Sequence, residues 1–265
     1  MTTPNRESPI PPTIPRVALV TGAGQRLGRA IALALAETGF DVGVHCNASV
    51  EAAEATAASV RERARRGVVL RADLSREDQT EALLGAARAV LGPVGVLVNN
   101  AALFERDEWD SATRQSWDRH METNLRAPFV LIQHFARGLP EGAEGVVVNM
   151  VDQRVLSITP HFVTYTVAKA GLWALTQSMA LALAPRIRVN AIGPGPTLPS
   201  PRQSEAQFAR QSASVPLGHG ASPDEIARAV IAILTLPAMT GQMLALDGGQ
   251  HLQWASSQKV ASPEE

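Results

Sequence analysis

From Arg16 onward, short β-branched runs alternate with longer Ala-rich segments whose apolar residues recur three and four positions apart. The runs Val17–Thr21, Asp41–His45, Gly67–Arg71, Val94–Asn99, Gly145–Val151, Ile187–Ile192 and Gln242–Leu246 read as strands. Between them Leu27–Thr38, Val50–Arg65, Arg76–Leu91, Ser111–Arg137, Val163–Leu183 and Pro223–Leu236 read as helices, each with an apolar stripe to bury. Alternation of this length implies right-handed βαβ crossovers, so the expected architecture is α/β, one domain over 16–254 with a doubly wound, seven-stranded parallel sheet. Residues 1–15 carry five prolines among polar residues and read as a flexible N-terminal tail, with 255–265 as a C-terminal tail. The interval Gly193 to Gly220 lacks clear periodicity and is long for a connection, which marks 198–218 as a lid over a site.

Composition narrows the partners. With 45% hydrophobic but only 4% aromatic residues, the core must be built from Ala, Val, Leu and Ile. A formal net charge of -1 without a long basic run argues against nucleic acid as partner. The single cysteine, Cys46, cannot form an intrachain disulfide, and no secretory pattern opens the chain. No stretch approaches the roughly 20 apolar residues of a membrane span. A cytoplasmic protein acting on a small molecule is expected.

The candidate chemistry falls at strand ends, where open α/β sheets bind ligands. The first strand runs through Thr21-Gly22-Ala23-Gly24-Gln25-Arg26-Leu27-Gly28 into a helix, the setting in which backbone N–H groups cradle a pyrophosphate. Plain structural turns use the same glycines, so this motif alone leaves both readings open. Asp73 and Leu74 follow the third strand, and Asn99-Asn100-Ala101-Ala102 follows the fourth. Asn124 interrupts a long helical pattern that favours better helix formers, as a residue bending the helix toward the site would. Tyr165 and Lys169 stand one helical turn apart on one face, and an ammonium beside a phenol favours the phenolate and suits it to proton transfer. Asp152 lies thirteen positions before that tyrosine, the only one in the chain.

In this order, the Thr-Gly-x-x-x-x-x-Gly turn, Asn-Asn-Ala, Tyr165-x-x-x-Lys169, Arg188-Val189-Asn190 with Pro194-Gly195, and Asp247-Gly248-Gly249 resemble the short-chain dehydrogenase/reductase family. The resemblance covers Arg16 to Trp254 and implies a Rossmann fold. It also implies Tyr165 as proton donor, Lys169 on the nicotinamide ribose, Asn124 supporting a relay water and Thr197 at the carboxamide. Gly22, Gln25, Leu27, Asn100, Ala101, Met150, Pro194 and Gly195 would complete the cofactor site. A tetramer paired through the helices Ser111–Arg137 and Val163–Leu183 is a further implication.

Two departures narrow the resemblance. Arg26 stands where the family typically has glycine, and Asp152 where it has the catalytic serine. Both are similar to the pteridine reductase branch, as is Phe104, which matches the aromatic that stacks a pterin ring. Ala102, however, replaces a serine usual in that branch. Arg26, Phe104, Asp152 and Tyr165 are therefore the expected substrate contacts. At the end of the second strand His45, Asn47 and Ser49 appear with no carboxylate before Glu51 to repel a ribose 2′-phosphate, and these three with Arg26 are expected to contact it, so NADP is expected over NAD. No histidine has metal-ligand spacing, and no metal is assigned. The competing readings are a carbonyl reductase or alcohol dehydrogenase acting on a small ketone, and a dinucleotide-binding sensor without turnover.

Overall fold

The computed structural model describes residues 9–253. Strands β1 (Val17–Val20), β2 (Asp41–Cys46), β3 (Gly67–Arg71), β4 (Val96–Asn99), β5 (Gly145–Met150), β6 (Ile187–Pro194) and β7 (Met243–Leu246) form one sheet in the order β3-β2-β1-β4-β5-β6-β7. Every pairing is parallel. The helices are α1 (Arg26–Glu37), α2 (Val50–Arg61), α3 (Glu77–Leu91), α4 (Arg114–Met121), α5 (Ala127–Gly138), α6 (Val163–Leu183), α7 (Glu205–Ala213) and α8 (Pro223–Thr235).

Both sheet faces are covered, which is why the strands read as nearly unbroken apolar runs. Ala18, Val20, Val96, Val98, Val146 and Val148 point to the side of α1, α2 and α8. Their neighbours Leu19, Leu97 and Val147 point to the side of α3, α5 and α6. The chain builds outward from β1 to β3, then crosses to β4 on the other side of β1. That reversal opens a crevice at the carboxyl ends of β1 and β4.

Three expectations need correction. Of the anticipated tail, residues 9–15 pack on the domain: Ile10 and Ile14 are 2% and 1% exposed in the core, and Arg16 donates to Ile10 O at 2.9 Å. Two buried isoleucines outweigh the prolines around them. Residues 1–8 and the expected tail 255–265 lie outside the described residues.

The helix expected over Ser111–Arg137 is broken. It starts at Arg114 behind a Thr113 capping box, widens to a π-segment at Glu122–Arg126, and resumes as α5. Pro128 carries no N–H for the Asn124 carbonyl four residues back, so the ladder shifts, and Ala127 N–H reaches Glu122 O instead.

The supposedly irregular interval contains α7. That helix buries none of its residues completely, so it leaves no apolar stripe, and its signal is the Ser204/Gln207 capping box.

Candidate active site

Thr21 ties the ends of β1 and β4 together. Its hydroxyl accepts the backbone N–H groups of Asn100 and Ala101, each at 2.9 Å, and Asn100 Nδ2 donates to Thr21 O at 2.8 Å. A Cβ on Gly28 would sit 2.2 Å from Gly22 O, so α1 reaches the turn only through glycine. A cavity of about 620 Å³ runs along this turn, lined by Gly22, Gln25, His45, Asn47, Asp73, Leu74 and Ala101. A second, of about 250 Å³, is bounded by Met150, Asp152, Tyr165, Lys169, Pro194, Gly195 and Thr197. Arg26, Leu27, Asn100 and Ala102 line both, which makes them one cleft.

His45 is placed differently from its expected role at the cofactor ribose. It is 2% exposed, its Nδ1 accepts Gly22 N–H at 3.1 Å, and Nε2 lies 3.0 Å from Ala72 O. Because Nδ1 must accept, the proton sits on Nε2 and is donated to Ala72. Burial pushes its pKa down to about 4, against the opposing Ala72 hydrogen bond, so the ring is neutral at pH 7. A neutral imidazole with both nitrogens occupied pins the glycine turn and offers no cation to a phosphate. Ser49, unlike His45, does not line the cleft. It is exposed at the start of α2, where its carbonyl accepts Ala53 N–H at 3.1 Å.

This histidine makes stability pH-dependent. With its folded pKa below the unfolded value of about 6.5, the unfolded chain binds more protons between those two values. Its contribution is therefore full above that window and is lost as pH falls through it, amounting to about 3 kcal/mol. The unfolding midpoint of the wild type is expected to drop more steeply from pH 7 to pH 5 than that of His45→Gln. Parallel curves would refute the assignment.

At the other end of the cleft, the Tyr165 hydroxyl donates to Asp152 Oδ2 at 2.9 Å, and Asp152 Oδ1 accepts Arg154 N–H at 2.8 Å. Lys169, on the same face of α6, is buried and donates to Met150 O at 2.7 Å, with Nζ 5.8 Å from the Tyr165 ring centre. Burial pushes its pKa down to about 8, with the Asp152 charge pulling the other way. The structure thus brings Asp152, Tyr165 and Lys169 together.

Asn124 is buried nearby, but its side chain is committed to Leu103. Oδ1 accepts Leu103 N–H and Nδ2 donates to Leu103 O, both at 2.8 Å. Its amide thereby fixes the loop that carries Phe104. The Phe104 ring stacks on Phe162 with centres 4.6 Å apart and meets Tyr165 edge-on at 4.8 Å.

Two arginines fasten the lid. Arg26, at φ 53°, donates to the carbonyls of Pro199 and Leu198 at 2.8 and 3.3 Å, and Arg202 donates to Phe104 O at 2.9 Å. In this conformation the Arg26 guanidinium holds the lid, whereas the sequence reading put it on a phosphate or substrate.

A family model described as short chain dehydrogenase matches residues 16–210. The chain belongs to the short-chain dehydrogenase family. Among solved structures it is similar to FolM alternative dihydrofolate reductase 1 from Brucella suis in complex with NADP, at TM-score 0.89 and 43% identity over 93% of this chain and 99% of that one. The corresponding Brucella canis structure, also with NADP, gives TM-score 0.87 and 40% identity over 94% and 99%. These neighbours fit the pteridine reductase-like branch. A short-chain dehydrogenase/reductase of Armillaria gallica is 33% identical over 250 residues, 88% of this chain and 95% of that protein.

Some lining of this short-chain dehydrogenase cleft went unread in the sequence. Arg119 and Thr123 close its cofactor end, and Gln153, Gln203, Phe208 and Gln211 close the lid end. Gln203, Phe208 and Gln211 fall within the 198–218 interval expected to cover a site, but no pattern there distinguished them from their neighbours.

Proposed function

We propose that the protein is an NADPH-dependent reductase of a pterin-like ring, dihydropteridine or dihydrofolate, with Asp152, Tyr165 and Lys169 as its catalytic set. The observation that carries this reading is the hydrogen bond from the Tyr165 phenol to the Asp152 carboxylate in a cleft walled by Phe104. The cofactor fits the chain's own features: a glycine turn that backbone can approach closely, a long cleft at the switch point, and no carboxylate in the cleft lining at the end of β2. NADP in the neighbouring FolM structures supports the same choice.

When bound, the nicotinamide supplies a hydride to the substrate ring. Tyr165 then delivers the accompanying proton from its hydroxyl, and Asp152 both orients that hydroxyl and accepts N–H groups of the substrate. Lys169, a buried cation held by Met150 O, stabilises negative charge on the phenol oxygen as the proton leaves. Phe104 offers an aromatic wall for a flat ring. Exposed Trp117 on α4 and Val167 and Leu181 on α6 support the proposed tetramer, and cytoplasmic residence is proposed with it. No helix among the described residues is long and apolar enough to cross a membrane.

Oxidation of NADPH with a panel of dihydropterins, dihydrofolate, quinones and small ketones tests the proposal. Turnover is expected with the pterins, and NADPH should bind more tightly than NADH. Reduction of ketones alone would shift the reading to a carbonyl reductase, and a cofactor titration without turnover on any substrate would shift it to a sensor.

A further inference from the structure

Directly behind the phenol lies a buried polar cluster with no part in the chemistry above. Asp107, His120 and Thr164 are 5%, 0% and 0% exposed. Phe162, the residue that precedes α6, has φ 57° and makes no side-chain cap, so the helix must find partners for its first N–H groups elsewhere. Asp107 supplies them from the β4–α4 loop: its carbonyl accepts Val163 N–H at 3.3 Å, and Oδ1 accepts Thr164 N–H at 3.1 Å. A carboxylate at a helix N-terminus is favoured by the helix dipole as well.

The direction of each remaining bond is fixed. His120 Nε2 accepts Glu105 N–H at 3.3 Å, so its proton sits on Nδ1, which lies 2.7 Å from Thr164 Oγ1 and 3.1 Å from Ser116 O. Thr164 Oγ1 therefore accepts from His120 and donates to Asp107 Oδ2 at 2.5 Å, which Ser116 Oγ also reaches at 2.9 Å. The charged groups facing the imidazole are Asp107, Glu105 and Arg119, the last two joined in a two-pronged ion pair. Burial pushes the His120 pKa below its ordinary value. Burial raises that of Asp107, but hydrogen bonds from Thr164 and Ser116 outweigh it and leave the carboxyl below the usual range. A carboxylate and a neutral imidazole are the charge states that this bond pattern requires.

Tyr165 is the next residue along α6. Its ring is met edge-on by His120 at 6.1 Å and by Phe104 at 4.8 Å. We propose that Asp107, Thr164 and His120 are positioning residues that hold the first turn of α6 so that the Tyr165 phenol meets Asp152. This inference rests on Tyr165 being the proton donor. With no side-chain cap from Phe162, the first N–H groups of that turn are held by Asp107, and a displacement of about 1 Å at a reacting group costs about a hundredfold in rate.

Thr164→Val keeps the side-chain volume and removes the hydroxyl, whereas Thr164→Ser keeps the hydroxyl. Thr164→Val is expected to lower kcat about ten- to a hundredfold with KM and NADPH affinity unchanged, and Thr164→Ser to restore kcat. Asp107→Asn, which keeps an acceptor for Thr164 N–H but turns a donor toward its hydroxyl, should show the same loss. Wild-type kcat in Thr164→Val, or a loss confined to KM, overturns the proposal.

If the wild type turns over no pterin or carbonyl substrate, the proposed function fails and the cluster is judged separately. The chain holds one tyrosine, so phenolate absorbance against pH reports Tyr165 alone. A midpoint displaced in Thr164→Val and restored in Thr164→Ser upholds the positioning role, and coincident midpoints overturn it.

Discussion

Tyr165→Phe is expected to lower turnover by about two to four orders of magnitude, the usual loss when a general acid is removed. The substitution deletes one oxygen. That oxygen is the only part of the ring bonded to Asp152, so the ring contacts with Phe104 and His120 survive and the first turn of α6 keeps its anchor in Asp107. Cofactor affinity and thermal midpoint should therefore stay near wild type while kcat collapses. Single-turnover NADPH oxidation at saturating substrate measures this directly. Turnover within a few-fold of wild type would remove Tyr165 from the proton path.

The second large effect concerns substrate choice. In Asp152→Ser the replacement still has an oxygen for the Arg154 N–H that Asp152 now accepts, so the local turn survives, but the charge is gone. Charge-assisted hydrogen bonds contribute roughly 1.5–3 kcal/mol, equivalent to about ten- to a hundredfold in catalytic efficiency. That loss should fall on a pterin, whose amino and ring N–H groups need the carboxylate, and spare a small ketone that has none. Phe104→Ala should add a smaller loss in the same direction, about 1 kcal/mol of stacking beyond area burial. Comparing kcat/KM on dihydrobiopterin and on a small ketone for the three proteins decides it. Unimpaired pterin reduction by Asp152→Ser would move the assignment to carbonyl reduction.

The sheet was legible because its strands are buried on both faces, and a run such as Val94 to Asn99 has no other good use for so many β-branched and aliphatic residues. The Tyr165/Lys169 pair was legible because a helix converts a spacing of four into proximity. What escaped depends on contacts between distant segments. Nothing in the local sequence told that His45 would turn inward to Gly22 and Ala72, or that Arg26 would meet carbonyls 172 and 173 residues away. Asp107 lay in a stretch with no periodicity at all, and its partner Thr164 is 57 positions on. The π-segment was half legible. Asn124 was singled out as a bend, but the residue that forces the shift is Pro128, hidden inside a strongly apolar helical pattern.

The link from Thr21 to the end of β4 spans 77 to 80 positions, and β1 has no neighbour on that side until β4 exists. During synthesis, then, the glycine turn emerges long before the strand that shapes it. Until residue 101 has left the ribosome, Thr21 lacks the two amides its hydroxyl accepts, and the hydrophobic flank of β1 stays uncovered. Pairing at such separation is slow to nucleate, because a large loop must close before any contact rewards it. The nascent first half is thus the aggregation-exposed state of this protein, and arrival of β4 gives β1 its second neighbour and shapes the glycine-turn end of the cleft in the same event.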